Sequence, residues 1–320
     1  VRGYKTKLGV LAIAGAMMLA ACGGGDDESD GALRVITSDE YDLSMIGAEA
    51  ADELGLFEKS GLDVKLTVSQ DAAQALASGD ADIAIASPNR FIGAIEQGLP
   101  AKIVGPTIDI WGQYIIVRKN LGIDKVEDWK GGKIGVSSFG SAGHYSGVKL
   151  AQTLGWSKSD YEIVPVGDLN GLMAALRSGS IDGFMWSAQA AFTLEHEGAA
   201  HILGNVGETI GPNPLDVITV TDKALKERPE DIKQFCADYY EAQKMFKEDE
   251  QLATDTFKKW GKDSEVMPDI LDSGLPVLST SSEITPEMIA NMADATTFTI
   301  DGSKITPDDV AKMYVDCSTL

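Results

Sequence analysis

Cysteine and histidine are scarce in this 320-residue chain, which has three of each. No histidine is spaced with another ligand type as a metal site requires, so neither a metal nor a cofactor is expected. Basic residues are also few: 27 Lys and Arg stand against 49 Asp and Glu, a formal net charge of −22. A chain of that balance cannot neutralise a phosphate backbone, which excludes nucleic acid as a partner. After the N-terminal segment no run is apolar for long enough to read as a membrane span.

What is present begins with an export signal. Arg2, Lys5 and Lys7 precede an apolar run from Leu8 to Leu19, and small residues then lead to Cys22. Leu19-Ala20-Ala21-Cys22 resembles the bacterial lipobox, in which the chain is cut before the cysteine and the new terminal Cys carries acyl chains. Residues 1–22 are therefore expected to be a lipoprotein signal peptide with lipidated Cys22. The protein would then be extracytoplasmic, on the periplasmic or cell-surface side of the bacterial cell membrane and held there by its lipid. Residues 23–32, rich in Gly, Asp and Glu, read as a flexible, self-repelling tether. Two readings stay open for the remaining cysteines. Cys236 shares a helical stripe with Ile232, Phe235, Tyr239 and Phe246, as a buried inert thiol would. An oxidising compartment also permits a bridge from Cys236 to Cys317 that staples the C-terminal tail.

Short β-type runs alternate with amphipathic helices, which argues for an α/β fold with largely parallel sheets. The expected strands are 33–37, 64–68, 83–86, 102–106, 114–118, 133–136, 162–166, 183–186, 200–204 and 216–221, and the last hundred residues turn mostly helical. An internal echo organises this series. Ala75-Leu76-Ala77-Ser78-Gly79-Asp80-Ala81-Asp82 recurs as Ala175-Leu176-Arg177-Ser178-Gly179-Ser180-Ile181-Asp182, and each copy runs through a strand to a serine, Ser87 and then Ser187. A period of that length is too long for a solenoid and suits two lobes built to one plan. Crossovers at Ile115–Asn120 and Val217–Asp222 would join them. Lobe one is then residues 33–116 plus 220–270, lobe two 117–219, and 271–320 a tail packing on the lobes. A chain that leaves a lobe and returns makes a two-segment hinge able to close on a ligand.

In open α/β sheets, ligands sit beyond the carboxyl ends of strands, where helix N-termini offer unpaired N–H groups. Four strand-to-helix turns carry small polar residues there. The first contributes Ser38, Asp39 and Tyr41; the second Ser87 and Asn89; the third Ser138, Phe139, Ser141 and His144; the fourth Trp186 and Ser187. Trp111, at a strand end beside Gln113, completes the candidate ligand-binding set. Capping alone accounts for most serines in such places, and His144 reads equally as a helix-cap residue. The convergence of four turns, two per lobe, is what points to a ligand. If Asp39 faces the cleft, it would pair with an amine and the solute would be a zwitterion. The preferred alternative is a neutral ring or simple anion held by Ser87, Ser138, Ser141 and the tryptophans.

Gly55-Leu56-Phe57-Glu58-Lys59-Ser60-Gly61-Leu62-Asp63-Val64 resembles the G-L-F-x-x-x-G-L-x-V signature of the NMT1/THI5-like solute-binding family, whose members serve nitrate, sulfonates, taurine or thiamine precursors. Further matches are 75–82, Gln97-Gly98-Leu99-Pro100 and Asp128-Trp129-Lys130-Gly131-Gly132-Lys133, and Ser141-Ala142-Gly143-His144-Tyr145-Ser146 is similar to a loop of taurine- and sulfonate-type members. The resemblance implies a type II periplasmic-binding-protein-like fold, two lobes joined by two crossover strands. It also implies a monomeric substrate-binding lipoprotein that captures a small organic solute of the sulfonate, taurine-like, aromatic-acid or vitamin-precursor class for an ABC permease in the membrane. It does not name the solute. Two alternatives go with it: a superfamily enzyme, of hydrolase or pyrimidine-precursor type, and a binding subunit that feeds a membrane sensor. Catalysis is not expected, because the cysteine-rich iron motif of the one enzyme branch is missing and both late cysteines fall outside the expected cleft.

Overall fold

The computed structural model describes residues 31–320, so Cys22, the signal peptide and the tether up to residue 30 lie outside the described residues. Residues Ala32–Leu320 form one compact unit containing two five-stranded sheets. Ten strands follow in chain order: β1 (Leu33–Thr37), β2 (Val64–Val68), β3 (Ile83–Ala86), β4 (Ala101–Pro106), β5 (Tyr114–Arg118), β6 (Lys133–Val136), β7 (Glu162–Pro165), β8 (Gly183–Trp186), β9 (Ala200–Asn205) and β10 (Val217–Thr221). The first sheet has the order β2-β1-β3-β10-β4, the second β7-β6-β8-β5-β9. In each, four strands run parallel to one another and one, β10 or β5, lies antiparallel between two of them.

The inner strands of both sheets are buried on both faces, which is why they are apolar at successive positions instead of alternating with polar ones. Ile83 and Ile85 of β3 point into one core with Phe235 and Tyr239, while Ala84 and Ala86 point into the opposite core with Phe91 and Met288. The second sheet repeats this: Ile115 and Val117 join Trp129 and Tyr145, whereas Tyr114 and Ile116 join Leu172 and Phe184. The period of two along a strand sends neighbours to opposite faces.

The connections between the lobes differ from expectation. β5 and β10 were the proposed crossovers, yet each lies inside a sheet with every residue from Tyr114 to Val117 and from Val217 to Thr221 buried. Their β-rich, apolar character reflects burial on two faces, not a link through solvent. The chain passes between the sheets a few residues earlier, at 107–113 and again at 211–216, the latter opening Gly211-Pro212-Asn213-Pro214. Lobe one thus ends at β4 and resumes at β10.

The C-terminal segment ties the lobes together. The helix Pro286–Thr299 packs on Pro88–Glu96 of the first lobe and on Ala142–Thr153 of the second, where Asp294 pairs with Lys149 at 2.7 Å. On the other flank, Met267–Gly274 packs on the second lobe's Ala188–His196, and His196 Nε2 lies 2.8 Å from Asp269. Of the two open readings for the cysteines, the structure shows the bridge: Cys236 in the helix Pro229–Glu248 is bonded to Cys317, with Cα atoms 6.6 Å apart. Cys317 and the last turn are thereby fixed to lobe one. No helix among the described residues is long and apolar enough to cross a membrane.

Candidate functional site

A cavity of about 340 Å3 opens between the lobes. Lobe one contributes the turn Asp39–Ser44, and lobe two contributes Tyr114, Asn205 and the turn Ser187–Gln189. Ile108, Gly112 and Leu215 of the connectors form its back, and Phe257, Lys262, Met267 and Ile270 close it from the C-terminal side.

The lobe-one turn is held in an unusual shape. Tyr41 is the only non-glycine residue among those described with positive φ, +54°. Its ring stacks on Trp260 at 4.6 Å between centroids, and Lys262 Nζ lies 5.5 Å from the ring centre. The next residue, Asp42, caps the short turn Leu43–Met45 by accepting from the Ser44 N–H at 2.8 Å. Ser44 Oγ lies 2.7 Å from Asp42 Oδ1 and 2.9 Å from Oδ2 of the buried Asp216 in the second connector. One hydroxyl proton cannot serve both carboxylates. Burial, with the neighbouring Asp42 charge, pushes Asp216 up to about 7, so near neutral pH the two carboxylates compete for the Ser44 hydroxyl proton, and a proton taken up by Asp216 relieves that competition. The shared hydroxyl couples the lobe-one turn to a connector.

The cavity is acidic on its lobe-one side, with Asp39, Glu40 and Asp42 against the single cation Lys262. Asp39 Oδ1 accepts from Gln70 Nε2 at 3.2 Å. Burial and then the Asp42 charge raise the Asp39 carboxyl, against the pull of Arg90 and Gln70.

Of the expected ligand residues, Asp39, Tyr41 and Ser187 line this cavity. Ser38 sits behind them, 7% exposed, with its carbonyl accepting from Gln70 and its hydroxyl against Met45. A second group gathers elsewhere, around the end of the helix Pro286–Thr299. Asn89 Nδ2 donates to Thr299 Oγ1 at 3.1 Å, and His144 packs between Phe139 and Phe298. Ser141 caps the helix Ala142–Thr153 and donates to the Ser138 carbonyl at 2.8 Å, while His144 Nδ1 accepts from the Gly140 N–H. Burial lowers the His144 pKa, which suits this packing and acceptor role. Ser87 opens the helix Pro88–Glu96 without a side-chain cap bond. The helix Pro286–Thr299 therefore stands at two of the four turns.

The tryptophans depart furthest from expectation. Trp111 is 4% exposed, packs on Tyr145, and donates to Ser146 Oγ at 2.8 Å. It belongs to the core of lobe two because its indole N–H finds a partner there. Trp186 packs against the other core of that lobe and does not line the cavity. Conversely, Asp216, Tyr114, Asn205 and the Met267–Gly274 helix were missed. Asp216 carried one signal, its place between a Gly-Pro-Asn-Pro run and an apolar strand; the helix has the amphipathic pattern of any packing helix.

The fold is similar to that of several solved proteins. The periplasmic aliphatic sulphonate binding protein SsuA from Escherichia coli is 19% identical, covering 89% of this chain and 92% of its own, with a TM-score of 0.70. A putative periplasmic sulfonate-binding protein SsuA from Methylobacillus flagellatus is 18% identical over 90% and 92%, with a TM-score of 0.69. The desulfurization enzyme DSZB is 14% identical over 83% and 91%, with a TM-score of 0.55. No curated protein matches the chain by sequence. The profile of the NMT1/THI5-like family matches residues 43–251, well over half of the chain. With the two-sheet architecture of the periplasmic binding proteins and this match, the chain is a member of the NMT1/THI5-like family.

Proposed function

We propose that the protein is the extracytoplasmic binding component of an ABC importer, tethered to the membrane through Cys22, which captures a small organic solute between its lobes and passes it to a permease. The observation that carries this reading is the cavity itself, walled by both lobes and backed by the two segments that join them. The disulfide fits an oxidising, exported setting. It also consumes both cysteines of the described residues, so neither supplies the thiolate that a cysteine hydrolase needs.

The polar groups favour one class of solute. Three carboxylates face the cavity on the lobe-one side and Lys262 is the only Lys or Arg lining it, so a pure anion would meet net repulsion. A zwitterion fits better. Its amine would lie against Asp39 and its acidic head near Lys262 and the unpaired N–H groups that open the helix Ala188–His196. The serine-and-tryptophan alternative loses support because neither tryptophan reaches the cavity. The test is a thermal-shift screen over taurine-like zwitterions, their deaminated analogues, sulfonates and small aromatic acids. A true ligand at 100 times its Kd adds about 2.7 kcal/mol, which moves Tm by roughly 5–10 °C in a domain of this size. No shift across the panel would defeat the assignment of solute class.

A further inference from the structure

The polar groups of the interlobe cavity stand on its two facing walls: Asp39, Glu40 and Asp42 on lobe one, and Ser187, Gln189 and Asn205 on lobe two. Lys262 lies over the ring of Tyr41, on the lobe-one side. Behind these groups the lining is apolar. Ile108 and Leu215, one from each connector, are brought together by Gly112, where a Cβ would stand 2.9 Å from Ile108 Cδ1 and 3.2 Å from Leu215 Cδ2. Val277 continues the patch, because the Asp109 N–H donates to its carbonyl at 3.0 Å and Ile108 pairs with Leu278. The helix Met267–Gly274 supplies the rest. Met267, Ile270 and Gly274 are spaced three and four apart, so they share one helix face, and all three line the cavity. At Gly274 that face lies so close to Leu43 of the lobe-one turn that a Cβ would collide with it.

An apolar wall of that extent is not needed to hold two charges. A two-carbon zwitterion would bridge the facing lobes and leave the connectors and the helix face against water. Leu215, Met267 and Val277 are only half-buried, so apolar surface remains for a solute to cover. The volume of about 340 Å3 also falls in the range that encloses larger solutes, about 300–1,000 Å3. Because the charge-holding groups stand on the lobes and the apolar lining on the connectors and the helix, the apolar part of the solute hangs to one side of the line between its charges. Resting on the zwitterion reading of this cavity, we propose that the preferred solute carries a pendant apolar group of butyl size or larger, and that Met267 and Ile270 set this preference.

The probes are glycine, alanine, norvaline and norleucine, in which the charged head is constant and the pendant chain lengthens. Hexanoate and pentylammonium serve as norleucine lacking one charge. Calorimetry should show affinity rising about fourfold with each methylene from alanine onward, and norleucine bound at least about tenfold more tightly than alanine. Met267→Gln, which keeps the length of the side chain, should weaken norleucine roughly fivefold or more and leave alanine within about twofold. Equal affinity along the series overturns the proposal, and so does a variant that keeps the full gradient. Should Met267→Gln fail to fold, the Met267 methyl resonance of the unaltered protein decides: a saturable shift with norleucine that alanine does not match supports the proposal, and a static signal overturns it. The two readings fail separately. Taurine binding with no binding of norleucine keeps the zwitterion site and overturns the apolar group. Hexanoate or pentylammonium bound as tightly as norleucine, with the gradient intact, removes the charge pair and supports the apolar preference.

Discussion

With its carboxyl sealed beside the Ser44 hydroxyl, Asp216 titrates at about 7 when folded and at about 3.9 when unfolded. Between those values the folded protein holds a proton that the unfolded chain releases. Stability from this group is therefore highest below about pH 4, falls as pH rises toward 7, and is flat above. Replacing Asp216 by Asn removes that slope. The variant should gain about 2–4 kcal/mol relative to the parent between pH 4 and 8, read from denaturant melts across that range; parallel pH profiles would exclude Asp216 as the source. At the same scale, Asp39 gives the sharpest test of the solute. Asp39→Asn should cost a zwitterion about 2–5 kcal/mol of binding and spare its deaminated analogue, by calorimetry. Asp39 was legible in the sequence as a polar residue in a strand-to-helix turn. Trp111 was not, because an indole at a strand end has the same neighbours in sequence whether it faces a ligand or a core.

The echo between residues 75–82 and 175–182 becomes a repeated device at the level of elements. Gly79 and Gly179 end their helices with φ of +79° and +78°, a conformation open to glycine at little cost. Three residues on, an aspartate clamps the start of a parallel strand. Asp82 accepts from the Arg34 main-chain N–H at 3.1 Å, and Asp182 accepts from the Lys133 N–H at 2.9 Å. Each clamp also holds an arginine, but from different strands: Arg34 of β1 in lobe one, Arg118 of the antiparallel β5 in lobe two. The two glycines differ in one respect. A Cβ at Gly79 meets nothing within 4 Å, whereas at Gly179 it meets the Arg118 guanidinium at 3.4 Å. Gly79→Ala should therefore cost about 1–2 kcal/mol from backbone strain alone, and Gly179→Ala about the same, because its added Cβ makes only ordinary contact with the end of the Arg118 side chain. Denaturant melts of the two variants check this, and a clearly larger loss in Gly179→Ala would show that the Arg118–Asp182 pair is disturbed. The elements were legible because their period and caps are local properties. Their partners were less so: the placement of β5 and β10 inside the sheets is set by pairing with strands far away in the chain, which no local pattern records.

At the level of the whole molecule, two connectors at 107–113 and 211–216 allow the lobes to swing, while the helices Met267–Gly274 and Pro286–Thr299 touch both lobes and oppose wide opening. A saturating ligand should reduce the radius of gyration in small-angle scattering, and an unchanged profile would count against closure by hinge motion. The two-lobed plan could be read from the echo. The bridging role of the tail could not, since a helix that packs on one lobe and a helix that packs on two bury the same apolar stripe.

The bond between Cys236 and Cys317 outlasts the fold that made it. Its partners are 81 positions apart, and the loop they close carries every helix that bridges the lobes. A denatured but oxidised chain is thus not a free polymer but a ring with a long arm, and the lost freedom of that ring is worth about 2–4 kcal/mol to the native state. On the return from denaturation both ends of the bridging segment already belong to lobe one. What remains is for the independent arm, lobe two, to find its place beneath a strap that is fastened before the search begins.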